Sequence, residues 1–230
     1  MKTRQIAIDG VSSSGKTTVG KIVAERLGYE FIDSGLLYRL ATKIVLDREL
    51  PKERYAEALN GVSVDIVEGK IIVDGSVFPM DLLRTKEVDE LVSPVSEDPK
   101  VREEITDLLR KIASSKNVVM VGRDIGSVVL KDAFLKVFLT ATLEERANRR
   151  FKELFLRGEN ITFEEVYENL KKRDVIDSTR EVAPLKVPED AYVIDTTMLS
   201  IEEVVTLIFE FIKGKEYALR NSQNYSDTLF

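Results

Sequence analysis

A glycine-rich segment near the N-terminus has the residue types and spacing needed to bind a polyphosphate. Gly10–Thr17, GVSSSGKT, fits the pattern G-x-x-x-x-G-K-[S/T] in full. The two glycines let backbone N–H groups turn toward an anion, and Lys16 can reach β- and γ-phosphates. The Thr17 hydroxyl suits Mg²⁺. The residues predicted to bind ATP, called the P-loop below, are Gly10, Val11, Ser12, Ser13, Ser14, Gly15, Lys16, Thr17 and Thr18.

Arginines that follow two later strands predict a second anion site. The segment DSGLLYR, residues 33–39, follows a predicted strand at 29–32, and GRDIG, residues 122–126, follows one at 117–121. Ligands bind at the carboxyl ends of strands in α/β sheets, so Arg39 could hold an acceptor phosphate. In the alternative interpretations, Ser34 only caps a helix while Arg39 lies in solvent, and 122–126 is a surface turn.

Two predicted helices carry further arginines. Arg173, Asp177 and Arg180 share one face if their helix continues, and could present a carboxylate to a sugar and guanidinium groups to phosphate. On the helix predicted at 142–157, the arginines could belong to a mobile lid that closes over the transferring phosphates. The alternatives are a solvated salt-bridged face and a plain charged helix. The arginines of the 142–157 helix are Arg146, Arg149, Arg150 and Arg157.

Composition removes several classes of chemistry. The 230 residues include no Cys and no His, which excludes disulfides, thiol nucleophiles, imidazole bases and Cys/His zinc sites. A net charge of −6 disfavours a nucleic-acid partner. No guanine-recognising Asn-Lys-x-Asp motif occurs, which disfavours a GTPase. Neither a secretory signal nor an apolar run of the ~18 residues that cross a bilayer is seen, so we expect a cytoplasmic protein without a membrane partner.

The elements that must position these residues follow an α/β pattern. Five short buried strands alternate with helices, which predicts a five-stranded parallel sheet with helices on both faces in a single domain spanning 1–230. The first strand, at 4–9, leads into the P-loop, and a helix then begins at Lys16, whose N-terminal dipole favours anions. We also predict a small antiparallel insert at about 60–98, a lid at about 151–165, and a polar tail at about 215–230 with a loose end.

Seven segments, in order, resemble the bacterial-type cytidylate kinases over nearly the whole chain. They are IAIDGVSSSGKTT, FIDSGLLYR, PKVREEI, GRDIGSVVL, VFLTATLEERANRR, RDVIDSTREVAPL and DAYVIDTTMLSIEEV. The resemblance implies a P-loop nucleoside monophosphate (NMP) kinase that transfers the γ-phosphoryl group of ATP to CMP, and to dCMP, with Mg²⁺. The predicted insert is similar to the enlarged NMP-binding domain of that family.

The resemblance also implies residue roles. Ser34, Arg39, Arg123 and Arg180 would hold the acceptor phosphate, Arg173 and Asp177 would face the ribose, and Ser93, Arg102 and Asp124 would surround the cytosine. A carboxylate can accept a hydrogen bond from the N4 amino group of cytosine but not from the O4 carbonyl of uracil. Asp124 could instead only orient Arg123, and Ser96 could stand in for Ser93.

Two positions depart from the family pattern: Val11 replaces a frequent proline, and Val121 replaces a common aspartate. The first should matter little. If the missing aspartate orders water around Mg²⁺, then Asp33 or bulk water must substitute, with Thr17 as the predicted metal residue.

A phosphate monoester acceptor already carries about −1.5 to −2 charges at pH 7, so no general base is needed. We assign catalysis to Lys16, Arg123, Arg149 and Arg157, which would stabilise charge on the transferring group. The rival functions are a kinase for UMP, AMP or shikimate, and a non-catalytic nucleotide sensor, which would not need the acceptor arginines. We expect a monomer that binds ATP and CMP or dCMP.

Overall fold

The computed structural model describes residues 3–226, with side chains through residue 220. The strands in chain order are β1 (Gln5–Gly10), β2 (Glu30–Asp33), β3 (Val64–Val67), β4 (Lys70–Val73), β5 (Ser76–Val77), β6 (Val118–Val121), β7 (Leu135–Thr140) and β8 (Tyr192–Asp195). The α-helices are α1 (Lys16–Leu27), α2 (Ser34–Asp47), α3 (Lys86–Glu97), α4 (Pro99–Ala113), α5 (Leu143–Leu156), α6 (Phe163–Thr179) and α7 (Ile201–Ser226). Short 3₁₀ segments span Lys52–Leu59 and Met80–Arg84, and a π-helical turn spans Ile125–Val129.

The predicted five-stranded parallel sheet is confirmed. Its order is β2-β6-β1-β7-β8, with every neighbouring pair parallel. All four residues of β6, Val-Val-Met-Val, are buried, because a parallel strand is covered on both faces. From β1 the chain moves to β2 on one side, and from β6 it crosses to β7 on the other side of β1. Ligands bind at such a switch point, and the P-loop begins there.

Helices cover both faces of the sheet, as predicted. On one face, α1 and α7 pack through Val19, Val23 and Ile208 against Ile6 and Ile8 of β1. The opposite face is covered by α2 and α4. Its core includes Leu37, Leu40, Ile105, Leu109 and Met120. The apolar residues of α1 and α4 recur at helical spacing, which is why these helices could be located from the sequence.

Gly10 fixes how closely the P-loop approaches the sheet. Its φ is +149°, and a Cβ added there would lie 2.0 Å from the carbonyl oxygen of Leu139 on β7. Only glycine can adopt this conformation so close to a neighbouring backbone. The P-loop therefore starts in direct contact with the carboxyl end of β7.

The predicted antiparallel insert forms a three-stranded sheet in the order β3-β4-β5. It also contains α3, which the sequence analysis did not predict. Thr85 caps this helix, and Val88, Val92 and Val95 are its buried residues. Pro94 lies inside this helix, and a proline at an interior position argues against a helix in the sequence.

Two helix ends differ from the prediction. α6 ends at Thr179, so Arg180 has left the helix with an extended backbone (φ −59°, ψ 143°). α7 continues through Ser226, although we predicted that the tail would be loose; residues 227–230 of that tail lie outside the described residues. Buried Ile208 and Ile212 anchor α7, and Glu216 pairs with Arg4. Within residues 3–226, no helix is long and apolar enough to cross a membrane.

Candidate active site

A cavity of about 790 Å³ lies at the carboxyl edge of the parallel sheet. The P-loop and the start of α1 line it. Residues from α2, α4, α6 and the segment after β6 line it as well. The strand-end segments singled out in the sequence therefore meet around one space, as expected when parallel strands end at the same edge of a sheet.

Lys16 is enclosed by the P-loop from which it projects. Its ammonium donates to the carbonyl oxygen of Val11 at 2.6 Å and lies 3.4 Å from the Ser14 hydroxyl. Burial lowers the pKa of Lys16, and the nearby positive charge of Arg123 lowers it further. A polyphosphate in the P-loop would supply the negative charge that this buried ammonium lacks.

Thr17 and Asp33 form a pair of hard oxygen ligands beside the P-loop. The Thr17 hydroxyl donates to Asp33 Oδ2 at 3.0 Å, while Oδ1 of the same carboxylate accepts from the N–H of Gly35 and caps α2. A hydroxyl and a carboxylate fit Mg²⁺ held together with nucleotide phosphates. Val121 is buried in the core and supplies no carboxylate. Asp33, which the sequence analysis named with bulk water as a substitute for the missing aspartate, thus lies beside Thr17.

Arg123 connects the P-loop to α6. Its Nη2 donates to the Ser12 hydroxyl at 2.7 Å, and its Nε donates to Asp177 Oδ2 at 2.8 Å. The alternative in which Asp124 only orients Arg123 is wrong, because the carboxylate that orients this guanidinium is Asp177 of α6. Burial raises the pKa of Asp177, but the charge of Arg123 and its hydrogen bond bring the net pKa below its usual value.

Asp124 instead forms a buried pair with Arg102. Arg102 Nη2 donates to Asp124 Oδ2 at 2.6 Å, and Nη1 donates to the carbonyl oxygen of Ser96 at 3.0 Å. The guanidinium also lies over the ring of Tyr38, with its carbon 5.2 Å from the ring centre. Burial raises the pKa of the Tyr38 hydroxyl to about 12. Asp124 Oδ1 faces Arg180 Nη2 only at 3.9 Å, too far for a hydrogen bond.

Arg180 and Arg173 retain unused donors. Arg180 Nε donates to the carbonyl oxygen of Ala183 at 2.7 Å, but its buried Nη2 has no hydrogen-bond partner. In the part of the chain that the structure describes, the Arg173 side chain has neither a hydrogen bond nor an ion pair. Burial lowers its pKa to about 10, helped by the nearby charge of Arg123. Both side chains line the cavity, although Arg180 lies just beyond α6.

Ser34 and Arg39 line the cavity but already have protein partners. Ser34 donates to the carbonyl oxygen of Val121 at 3.0 Å, whereas the cap of α2 is Asp33. Arg39 donates to Leu83 and pairs with Asp89 at 2.6 Å, so it connects α2 to the insert. The alternative of a capping Ser34 with a solvated Arg39 is therefore wrong, because both side chains are directed inward.

The arginines of α5 do not act as one group. Arg146 is buried, donates to the Ser12 carbonyl oxygen at 3.3 Å and pairs with Asp174 of α6 at 2.7 Å. Arg149 donates to the carbonyl oxygen of Thr196 at 2.6 Å and lines the cavity, as does Arg150. Arg157 pairs with Glu153 and is absent from the cavity lining. Arg157 is not brought to the site with the other three, because it lies just beyond the C-terminal end of α5.

Sequence reasoning missed several residues that line the cavity. They belong to α2, α5, the segment after β8 and the start of α7, and they include Tyr38, Glu145, Glu153, Thr196, Leu199, Ser200, Ile201 and Val204. Of the two serines that the sequence analysis named as alternatives, Ser96 lines the cavity and Ser93 does not. The segment after β8 follows a parallel strand, so the strand-end rule that identified Arg39 and Arg123 could also have identified it.

The family model described as Cytidylate kinase matches residues 6–214. This chain belongs to the cytidylate kinase family. It is an ATP-dependent nucleoside monophosphate kinase, as its sequence predicted. The cytidylate kinase of Carboxydothermus hydrogenoformans is 43% identical over 94% of this chain and 100% of its own length. That of Caldanaerobacter subterraneus subsp. tengcongensis is 45% identical over 92% of this chain and 95% of its own length.

A solved structure shares the fold of this family member. An uncharacterized protein from Eubacterium ventriosum has a TM-score of 0.53 and is 14% identical, covering 92% of this chain and 99% of its own. At that identity the likeness concerns the fold alone.

Proposed function

We propose that this chain transfers the γ-phosphoryl group of ATP to CMP and dCMP, producing CDP or dCDP and ADP. The observation that carries the proposal is the position of Arg173 and Arg180. Their unused donors line the same cavity as the P-loop. A nucleotide-binding sensor would need the P-loop alone, whereas a kinase for a phosphorylated acceptor needs a second anion site facing it.

On the donor side, the P-loop binds the phosphates of ATP. Backbone N–H groups at the start of α1 and the Lys16 ammonium contact the β- and γ-phosphates. Thr17 and Asp33 would hold Mg²⁺, which would neutralise charge on the phosphates. Arg149 and the residues after β8 extend the cavity beyond the P-loop, where the nucleoside of ATP has space.

On the acceptor side, Ser34, Arg39, Arg123 and Arg180 hold the phosphate of CMP, and Arg173 and Asp177 face its ribose. Because Arg39 is paired with Asp89, phosphate binding would compete with this link to the insert. Asp124 Oδ1 accepts from the cytosine amino group while Oδ2 remains paired with Arg102. Since Ser96 lines the cavity, it replaces Ser93 as the serine next to the base.

The chain accelerates transfer by positioning and electrostatics. The acceptor phosphate is already anionic, so the protein removes no proton from it. Lys16 and Arg123 lie between the two nucleotide sites, where negative charge develops on the transferring group. Removing one such donor typically costs about 10²–10³-fold in kcat. Arg149 contributes from α5, and Arg157 would join only if the lid at 151–165 moved over the cavity.

An ADP-release assay with CMP, dCMP, UMP, AMP and shikimate tests the proposal. Turnover with CMP and dCMP should exceed that with the other three acceptors, and it should require Mg²⁺. As a matched control, Arg26→Ala removes an exposed arginine paired with Glu202, outside the cavity, and should leave turnover unchanged. Equal turnover with UMP, or turnover with shikimate alone, would reject CMP as the acceptor. We further propose that the chain acts as a cytoplasmic monomer, which gel filtration and cell fractionation can check.

A further inference from the structure

Asp9, the last side chain before the P-loop, has a role that phosphate binding does not explain. It lies at the end of β1, is 1% exposed, and precedes Gly10 directly. Its carboxylate contacts the segment after β6. Oδ1 accepts from the backbone N–H of Ile125 at 2.8 Å, and Oδ2 accepts from that of Gly126 at 2.7 Å.

The two N–H groups belong to the π-helical turn that begins directly after Arg123 and Asp124. The turn is held from a second side as well. A Cβ added to Gly126 would lie 3.1 Å from Lys136 Cδ and 3.3 Å from Asp9 Oδ2, so the backbone is confined between β7 and Asp9. One carboxylate therefore connects the first residue of the P-loop to the residues that face CMP.

A buried carboxylate at this position lowers the stability of the folded protein. Burial raises the pKa of Asp9 to about 6, although the two N–H groups and Lys16 oppose that rise; the nearby charge of Asp124 adds to it. An apolar residue would avoid this cost but could not accept two hydrogen bonds. The carboxylate is thus suited to holding a turn that would otherwise present two unpaired buried N–H groups.

We propose that Asp9 is a positioning residue that fixes the distance and orientation of Arg123 and Asp124 relative to the P-loop. The inference rests on the proposed function, in which these two residues hold CMP opposite ATP. In-line transfer requires the two nucleotides to be aligned, and a displacement of about 1 Å can cost about 10²-fold in rate. Binding of either nucleotide alone does not depend on that alignment.

Asp9→Asn tests the proposal, because the amide provides one acceptor where two donors must be satisfied and turns its own N–H₂ toward the other. We expect kcat to fall about 10²-fold, more than the affinity for ATP or for CMP, each measured without the other substrate. Hydrogen exchange of the amides of Ile125 and Gly126 should accelerate about tenfold or more, as expected for loss of a hydrogen bond to a charged group.

Gly126→Ala provides a second route, since the added Cβ pushes the same turn from Asp9 without changing the carboxylate. It should also lower kcat more than either affinity, and it carries the test if Asp9→Asn does not fold. Asp74→Asn is the matched control: its carboxylate accepts from the N–H of Ser63 at 2.9 Å in the insert, and kcat should not change.

Wild-type kcat in both variants would overturn the proposal. A loss of kcat that only follows weaker binding or a smaller folded fraction would also overturn it, because Asp9 would then be merely structural. A wild-type chain that does not phosphorylate CMP would instead reject the proposed function, so the two failures are distinguishable.

Discussion

Replacing Asp124 with Asn should shift the preference of this kinase from CMP toward UMP. Arg102 donates to Oδ2 at 2.6 Å, so the carbonyl oxygen of an asparagine must take that position. Its N–H₂ group then occupies the place of Oδ1, facing the base. A donor there repels the amino group of cytosine and matches the O4 carbonyl of uracil.

The size of the change follows from the hydrogen bonds exchanged. CMP loses a bond to a charged acceptor, worth about 1.5–3 kcal/mol, and UMP gains a neutral one, worth about 1 kcal/mol. The ratio of kcat/KM for CMP to that for UMP should therefore fall about 10²- to 10³-fold. The Asn variant is preferable to Asp124→Ala, which removes the partner of a buried guanidinium and would destabilise the fold by about 3–5 kcal/mol.

The assay is steady-state ADP release with each substrate, at a temperature at which thermal melting shows both proteins folded. Asp107→Asn is the control, because Asp107 is an exposed carboxylate paired with Arg110 on the outer side of α4. It should leave the CMP/UMP ratio unchanged. A ratio in Asp124→Asn equal to that of the wild type would refute the assignment of Asp124 to the base, whatever the loss in overall rate.

Four other outcomes are expected. Lys16→Ala should lower kcat by about 10²-fold or more. It should also raise the melting temperature, because burial disfavours the ammonium. A kcat close to that of the wild type would contradict the P-loop assignment. Arg180→Ala should raise KM for CMP without changing ATP affinity, whereas an equal loss of both in calorimetric titrations would make Arg180 structural. Asp33→Asn should raise the Mg²⁺ concentration needed for half-maximal activity by about 10–100-fold, and an unchanged Mg²⁺ titration would argue against the carboxylate as a metal partner. The pKa of Asp9 is raised to about 6, so the wild type should lose stability as pH rises from about 4 to about 7. Over that interval, the free energy of unfolding of Asp9→Asn, measured with denaturant, should increase by up to about 3 kcal/mol relative to that of the wild type. A difference that stays constant with pH would mean that the folded-state pKa is not raised.

Local sequence patterns determined the sheet, the P-loop and most of the site. Buried strands bounded by turns, and apolar residues at helical spacing, depend on neighbours along the chain. The strand-end rule then placed Arg39, Arg123 and Asp124 around one cavity, because parallel strands end at the same edge. α3 was missed because a proline, Pro94, lies inside it, and the end of α7 was missed because the helix continues beyond Ile212, the last of its described side chains that is buried.

Which charged groups pair with each other was decided by the tertiary structure. Asp124 is adjacent to Arg123 in sequence, yet it pairs with Arg102 from α4, while Arg123 pairs with Asp177 from α6. Arg157 directly follows the helix that carries Arg149 but is not among the residues that line the cavity. Ser96 lines the cavity, and Ser93 does not. Asp9 contacts a turn more than a hundred residues away. Sequence patterns specify which groups lie near a strand end, but ion pairs depend on side-chain direction across separate elements. Those directions are fixed only when the helices pack on the sheet.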